Sequence, residues 1–352
     1  MTTLYNSKPI AIYVQGYLDK LHEIKMGIGI LMFSESPITC VIDHQHAGQN
    51  IQDIIPILPR NCPIVSTVAE AKKLGAESIV LGTATLGGKM PKHWISEIDD
   101  AIKLGLSVIN GLHDKLSSRA HDLQPGQQVV DLRQEPDRLA TASGAAAKLN
   151  NKRVLLIGTD MCIGKMTSGL LLHSTAKKMG FNSEFLATGQ IGIAICGKGI
   201  ALDAIRLDFA AGAVEQLVLD NPSDIVFIEG QGSLLHPSSS ATLPLLRGSC
   251  PTHLVLCHRV NKQTLDDFPQ IQIPELNDLI HLYESLASTC GTFPRPKTIA
   301  LCFNTAELET DEQACQFITA VSKHYGLLAT DPVRYSCEDI VRNIMDQHLP
   351  SN

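Results

Sequence analysis

The chain has 352 residues, 44% of them hydrophobic, and a formal charge of -7. No apolar run approaches the ~20 residues of a membrane-spanning helix, and the charge offers no basic excess for a nucleic-acid backbone. The length suits two domains of roughly 150 to 200 residues with ample core. Met1 to Lys8 lack the basic-then-apolar build of a secretory leader, so the expected compartment is the cytosol. The ten cysteines are scattered without a Cys-x-x-Cys pair and are expected as reduced thiols.

The first domain is expected over residues 1–135. Short apolar runs at Pro9–Val14, Ile38–Ile42, Pro63–Val65, Ser78–Leu81 and Leu106–Ile109 read as strands. Helical patterns lie between them, at Ser66–Leu74 behind a Ser/Thr cap and at Pro91–Leu104, which stops at Gly105. Alternation of this kind predicts an α/β fold with a parallel sheet, whose ligands gather beyond the carboxyl ends of the strands. The loops Gly82–Gly88 and Asn110–Asp114 stand there as candidates for substrate contact. After the first strand only Gln15-Gly16-Tyr17 appears, with no Gly-x-Gly-x-x-Gly, so a nicotinamide cofactor has little support. His113, next to Asp114, is a candidate general base. Asp43, His44 and His46 cluster after another strand at a spacing that fits no metal pattern.

Residues 136–151 read as a connector in which the run Ala140–Ala147 favours a helix. The second domain, 152–352, opens on the most informative stretch of the chain. Val154–Ile157 is a buried parallel strand, and Gly158, Thr159, Asp160, Met161, Cys162, Ile163 and Gly164 make a glycine-bounded turn. Lys165, Met166 and Thr167 then start a helix. Consecutive backbone N–H groups and the positive helix end hold a phosphate in such a turn, and Lys165, expected to face solvent, adds a formal charge. The common spacing is Gly-x-x-x-x-Gly-Lys-Ser/Thr; here the first glycine is one residue further out and Met166 replaces the hydroxyl that ligates magnesium. A thioether cannot substitute for oxygen on so hard a cation.

Ser183–Ala187 reads as the next strand, Thr188–Gly192 as its exit loop and the stretch from Ala201 as a helix carrying Asp203 and Arg206. Ile225–Ile228 is a further buried strand with Glu229 at its tip, where such proteins keep a second acid for a metal or a water. Gly230 and Gly232, on either side of Gln231, let the backbone pass close to a ligand. Leu254–Cys257 and Thr298–Cys302 extend the sheet, and Asn304 lies beyond it, where an amide could pair with an adenine edge or simply cap a turn. His236 is a loose candidate for proton transfer.

Gly158-Thr-Asp with Gly164-Lys165, Glu229-Gly-x-Gly and Asn304 resemble the dethiobiotin synthetase branch of phosphate-loop proteins. A closer resemblance covers nearly the whole chain. The Gly-Thr-Asp-x-x-x-Gly-Lys-Met-Thr loop, Gly111-Leu-His, Val130-Asp-Leu-Arg133 and Glu229-Gly-Gln-Gly-Ser resemble a bacterial family described as D-glutamate N-acetyltransferase-like. That resemblance implies an N-terminal Rossmann-like domain, a C-terminal P-loop domain, acetyl-CoA as donor and a D-amino acid as acceptor. Coenzyme A carries phosphates that a phosphate loop can grip without metal, so Met166 suits acyl transfer better than magnesium-dependent phosphoryl transfer. On this reading Lys165, Thr167 and the loop amides anchor phosphates, His113 or Glu229 takes the proton of the amine, and Arg206 or Arg119 meets the acceptor carboxylate. Two other classes stay open. An ATP- and magnesium-dependent ligase or kinase would bind metal through Glu229 and Asp203 or Asp160; a nucleotide switch would carry a lysine where Asp160 stands. A two-domain metabolic protein of this size is expected as a homo-oligomer.

Overall fold

A computed structural model describes residues 8–84, 88–121 and 123–347. The chain forms two compact units, each on a six-stranded, all-parallel sheet. The first contains the described residues up to Gln134 together with Gly189–Ala204; the second contains Glu135–Thr188 and the described residues from Ile205.

The first sheet has strands β1 (Ile10–Tyr13), β2 (Ile38–Ile42), β3 (Ile64–Val65), β4 (Ser78–Leu81), β5 (Ser107–Asn110) and β6 (Val129–Asp131), in the order β3-β2-β1-β4-β5-β6. Strands β1 and β4 are buried throughout, as a parallel sheet covered on both faces demands. The helix Val68–Lys73 starts where Thr67 accepts the Glu70 N–H, and Trp94–Lys103 ends before Gly105 at φ +76°. Trp94 is fully buried, edge-on to Tyr13 at 4.8 Å, and donates its indole N–H to the Gln15 carbonyl at 3.0 Å.

The second sheet has β7 (Lys152–Gly158), β8 (Ser183–Leu186), β9 (Ile225–Ile228), β10 (His253–Arg259), β11 (Lys297–Asn304) and β12 (Leu328–Thr330), in the order β12-β11-β10-β7-β9-β8. Strand β7 is central, and β10 and β9 flank it, so the loops that leave all three emerge at one sheet edge. All ten cysteines are free thiols.

Several expectations are corrected. Ala140–Ala147 is not a helix; only a single 3-10 turn forms, at Ala145–Lys148. The buried Glu215 carboxylate accepts the Ser143 and Ala145 N–H groups, and Gly144 turns left-handed at φ +77°, so the backbone donors that a helix needs are used elsewhere. Residues expected as the loop after β8 begin the helix Gln190–Cys196 behind Gly189, which packs on the helix Lys25–Phe33 of the first unit. The stretch from Ala201 is broken into a 3-10 turn at Leu202–Ala204 and a helix at Leu207–Leu219. Strands β6 and β12, Val-Val-Asp and Leu-Ala-Thr, each end on a polar residue and form no continuous apolar run. Of the loop Gly82–Gly88, residues 85–87 lie outside the described residues.

Gly212 marks a very close approach in this packing, since a Cβ there would stand 1.8 Å from the Ala140 carbonyl oxygen. Gly212→Ala is expected to lower stability by about 2 kcal/mol or more through overpacking. Urea unfolding would measure this, and an unchanged midpoint would show that the 140–144 segment yields freely.

Candidate phosphate site

The loop between β7 and the helix Lys165–Lys178 owes its shape to two kinds of glycine. At Gly164 a Cβ would meet nothing within 4 Å, but the backbone takes φ +108°, so the requirement is conformational. At Gly158 and Gly230 the requirement is space. A Cβ on Gly158 would stand 2.6 Å from Ile163 Cδ1 and 3.2 Å from Lys165 Cδ; one on Gly230 would stand 1.7 Å from the Leu156 carbonyl oxygen and 3.0 Å from Lys165 Cδ. The lysine stem therefore runs between two bare backbones. This corrects the expected solvent-facing lysine, because Lys165 is only 6% exposed. Its Nζ donates to the Asp160 carbonyl at 2.7 Å. Burial pushes the ammonium below its ordinary pKa against the opposing pull of Cys257, Cys162, Asp160 and Glu229. Of the other loop residues, Ile163 is buried, Cys162 is exposed at φ +53°, and Met161, Met166 and Thr167 are half-buried.

The buried Asp160 carboxylate ties three segments together. Its Oδ1 accepts the Met161 N–H at 2.6 Å, and its Oδ2 accepts the Asp266 N–H at 3.0 Å and meets Lys262 Nζ at 3.0 Å. His236 Nε2 stands 3.9 Å from Asp160 Oδ1. The His236 Nδ1 accepts the Ser238 N–H at 3.2 Å, which assigns the ring proton to Nε2. Thr159 Oγ1 lies 2.8 Å from His258 Nδ1. Neither Lys262 nor Arg259 was singled out from the sequence, because a Lys or Arg after a strand carries no signal until its partner is known.

Glu229 is buried at the exit of β9. Its Oε2 accepts the Thr188 N–H at 2.8 Å, the Thr188 hydroxyl donates to its backbone carbonyl at 2.7 Å, and Gln231 Nε2 donates to that hydroxyl at 3.2 Å. The acid thus fixes the end of β8 while its charge reaches Lys165. Gly232 turns at φ +64°, where a Cβ would stand 2.0 Å from Ser239 Oγ. Tyr283 Oη donates to the Gly158 carbonyl at 3.2 Å and accepts the Leu234 N–H at 3.0 Å, linking this loop to the end of β7. Asn304 Oδ1 accepts the Ala306 N–H at 3.0 Å, an ordinary turn bond that leaves its amide N–H groups to other acceptors.

In the first unit, exposed His113 has Nε2 3.2 Å from Arg133 Nη1. Burial and the Arg133 charge lower its pKa. The adjacent Asp114 does not orient the ring; its carboxylate accepts the Met90 N–H at 2.7 Å. Arg133 also donates to the Gly111 carbonyl at 2.7 Å and pairs with Asp203. The other arginines considered for an acceptor carboxylate have partners of their own: Arg206 with Glu135 at 3.0 Å in the second unit, and Arg119 with Asp99 at 2.5 Å in the first. Asp43 accepts the Gly16 N–H at 2.6 Å and pairs with His46 Nδ1 at 2.7 Å. Among the described residues no group of three or more His, Cys, Asp or Glu is placed to hold a metal ion.

Residues 140–341 match the family described as "Domain of unknown function (DUF1611_C) P-loop domain", and residues 44–135 match its companion, "Domain of unknown function (DUF1611_N) Rossmann-like domain". A Pseudoalteromonas sp protein called D-glutamate N-acetyltransferase is 35% identical over 284 residues, 79% of this chain and 84% of that protein. One of the same name from Tritonibacter scottomollicae is 35% identical over 282 residues, covering 78% of this chain and 83% of that protein. The crystal structure of a DUF1611 family protein from Anabaena variabilis is 43% identical, with a TM-score of 0.90 over 97% of this chain and 100% of that one.

Burial lowers the pKa of His258 and His253 to about 4 each, helped by Lys262 and Arg259 at the first and by Lys152 and Arg153 at the second. Both imidazoles are thus held neutral in the fold but protonate near 6.5 when unfolded. Their contribution is intact above pH 6.5 and is lost as pH falls toward 4, each with a slope of up to about 1.4 kcal/mol per pH unit. Urea unfolding at pH 7 and pH 5 should show the drop, and His253→Asn should flatten it by one proton; an equal slope in the variant would refute the assignment.

Proposed function

The chain belongs to the DUF1611 family, and we propose that it is an N-acetyltransferase that takes acetyl-CoA as donor and a D-amino acid such as D-glutamate as acceptor. One observation in the structure carries the donor half of this reading. A buried ammonium, Lys165, sits at the start of a helix behind a turn of backbone N–H groups, and the next side chain is the thioether of Met166 rather than a hydroxyl. Such a site grips a diphosphate through amides, helix dipole and one lysine, with no side-chain oxygen directly after the lysine, where magnesium is ordinarily recruited. The two relatives called D-glutamate N-acetyltransferase support the acceptor half.

The residues fit the group. Lys165, Thr167 and the loop amides near Gly164 would hold the diphosphate of the donor, and Asn304 its adenine. Acetyl-CoA supplies an activated acyl carbon, so that a C–N bond forms as a C–S bond breaks and the thiol departs. The chain must take one proton from the attacking ammonium. Glu229, buried within electrostatic reach of Lys165, is one base for this role. His113, whose pKa already lies below its usual value, is the other. Of the two, Glu229 has the firmer position, because the Thr188 N–H donates to its carboxylate and the Thr188 hydroxyl to its backbone carbonyl. An arginine that meets the acceptor carboxylate must exchange a present carboxylate partner for it. Arg206 fits this role, since its salt bridge with Glu135 is exposed and costs little to open.

Calorimetry and an acetylation assay on the full chain test this. Acetyl-CoA should bind without magnesium, and free thiol should appear when D-glutamate is added, faster than with L-glutamate. Magnesium-dependent ATP binding with no response to CoA would overturn the reading. Lys165→Met should weaken CoA binding at least tenfold, the loss of a charge-assisted contact worth about 1.5–3 kcal/mol. Its melting temperature should stay level or rise, because a buried, desolvated charge is replaced by an apolar chain of similar length.

A further inference from the structure

Beside the phosphate loop, at the end of β10, lies a pair of cations that the proposed reaction does not yet use. Arg259 closes β10 and lies in register with Asn304, which closes β11. On its other side β10 pairs with β7, from which the phosphate loop springs. A nucleotide whose diphosphate rests on the loop and whose adenine meets Asn304 must therefore carry its ribose across the end of β10. There the Arg259 Nη2 donates to Asp266 Oδ1 at 2.7 Å, and Lys262 Nζ, its side chain only 3% exposed, reaches the same oxygen. Two cations, one closing β10 and one in the loop after it, thus converge on a single anionic oxygen, and the group that supplies it is a carboxylate 50% exposed. Arg259 Nε is buried without a hydrogen-bonded acceptor, Glu307 Oε1 standing 3.4 Å away. Asp160 fixes Lys262 from the loop side at 3.0 Å, so this ammonium cannot withdraw into solvent.

We infer that Arg259 and Lys262 form a phosphomonoester subsite on the ribose side of the phosphate loop, which reads the 3′-phosphate of coenzyme A in place of the Asp266 carboxylate. The inference rests on the reading of the donor as acetyl-CoA and adds a specificity determinant to it. A guanidinium whose buried Nε–H meets Glu307 only as a 3.4 Å ion pair, without hydrogen-bond geometry, and a neighbouring ammonium match a dianionic phosphate, which offers more acceptor oxygens than the carboxylate it displaces. The subsite would favour CoA over its dephospho form and over ADP, which have no phosphate at that position.

Calorimetry of the full chain with CoA and with 3′-dephospho-CoA provides the test. The wild type should bind CoA at least about tenfold tighter, the discrimination expected of one charge-assisted pair. Arg259→Gln should lose most of that ratio while holding dephospho-CoA within about threefold, which also reports that the variant is folded. Asp266→Asn, which removes the competing anion, should bind CoA as tightly as the wild type or more so. Equal binding of the two ligands by the wild type would overturn the subsite and leave the acetyltransferase reading standing. Binding of neither would overturn both. An equal loss of the two ligands in Arg259→Gln would make the arginine a structural brace and refute the subsite.

Discussion

The second unit depends on one buried carboxylate. Asp160, at the tip of the loop after β7, is bonded to its own loop through Met161 and to the loop after β10 through Asp266 and Lys262, with His236 of the loop after β9 beside it. Buried ion pairs seldom add net stability, because desolvation consumes the Coulomb gain. They do fix geometry, since any arrangement that parts the pair strands a charge in a poor solvent. Asp160 therefore registers loops that the sheet delivers to one edge but does not align. A lysine at this position would repel Lys262 and could not play that part.

Lys165 shows the complementary principle. Its stem runs between two glycine backbones, and its ammonium lies under cover with the Asp160 carbonyl as its hydrogen-bond acceptor. The fold tolerates a cost there that an arriving anion would relieve. The nearby acid Glu229 raises the ammonium's tendency to stay charged, yet it also serves Thr188, so it positions the end of β8 as well as the field around the lysine. Such double duty explains why the acid, its following glycine and the lysine are inseparable: Gly230 gives the lysine room, and the turn after β9 passes over the Leu156 carbonyl of β7 at that same glycine.

In the first unit the charged side chains at the sheet's carboxyl edge are interlocked. Arg133 joins the Gly111 carbonyl, His113 and Asp203, and Asp203 arrives on the segment that follows β8, a part of the chain that lies far away in sequence. Gly111 has no room for a side chain because Met26 and Gln190 close over it, the latter from that same segment. The segment 189–204 thus belongs to the architecture of the first unit although its neighbours in sequence build the second sheet.

Both parallel sheets, the loop from Gly158 to Lys165 and the acid at the tip of β9 were legible in the residues alone. These features rest on local chemistry: continuous apolar runs, glycines at turns and a lysine opening a helix, all of which neighbours in sequence decide. The short strands β6 and β12 were not, since Val-Val-Asp and Leu-Ala-Thr mix apolar and polar residues without a run. Nor was the fate of the alanine run, where Glu215, far along the chain, takes the backbone donors that a local reading assigns to a helix. Tertiary structure alone decided the partners of the charged groups: Asp160 with Lys262, Arg133 with Asp203, Arg206 with Glu135, and Lys165 under cover rather than in solvent. Ion pairs and burial are set by distance in space, and only the crossover connections of the two sheets bring those residues within reach of one another.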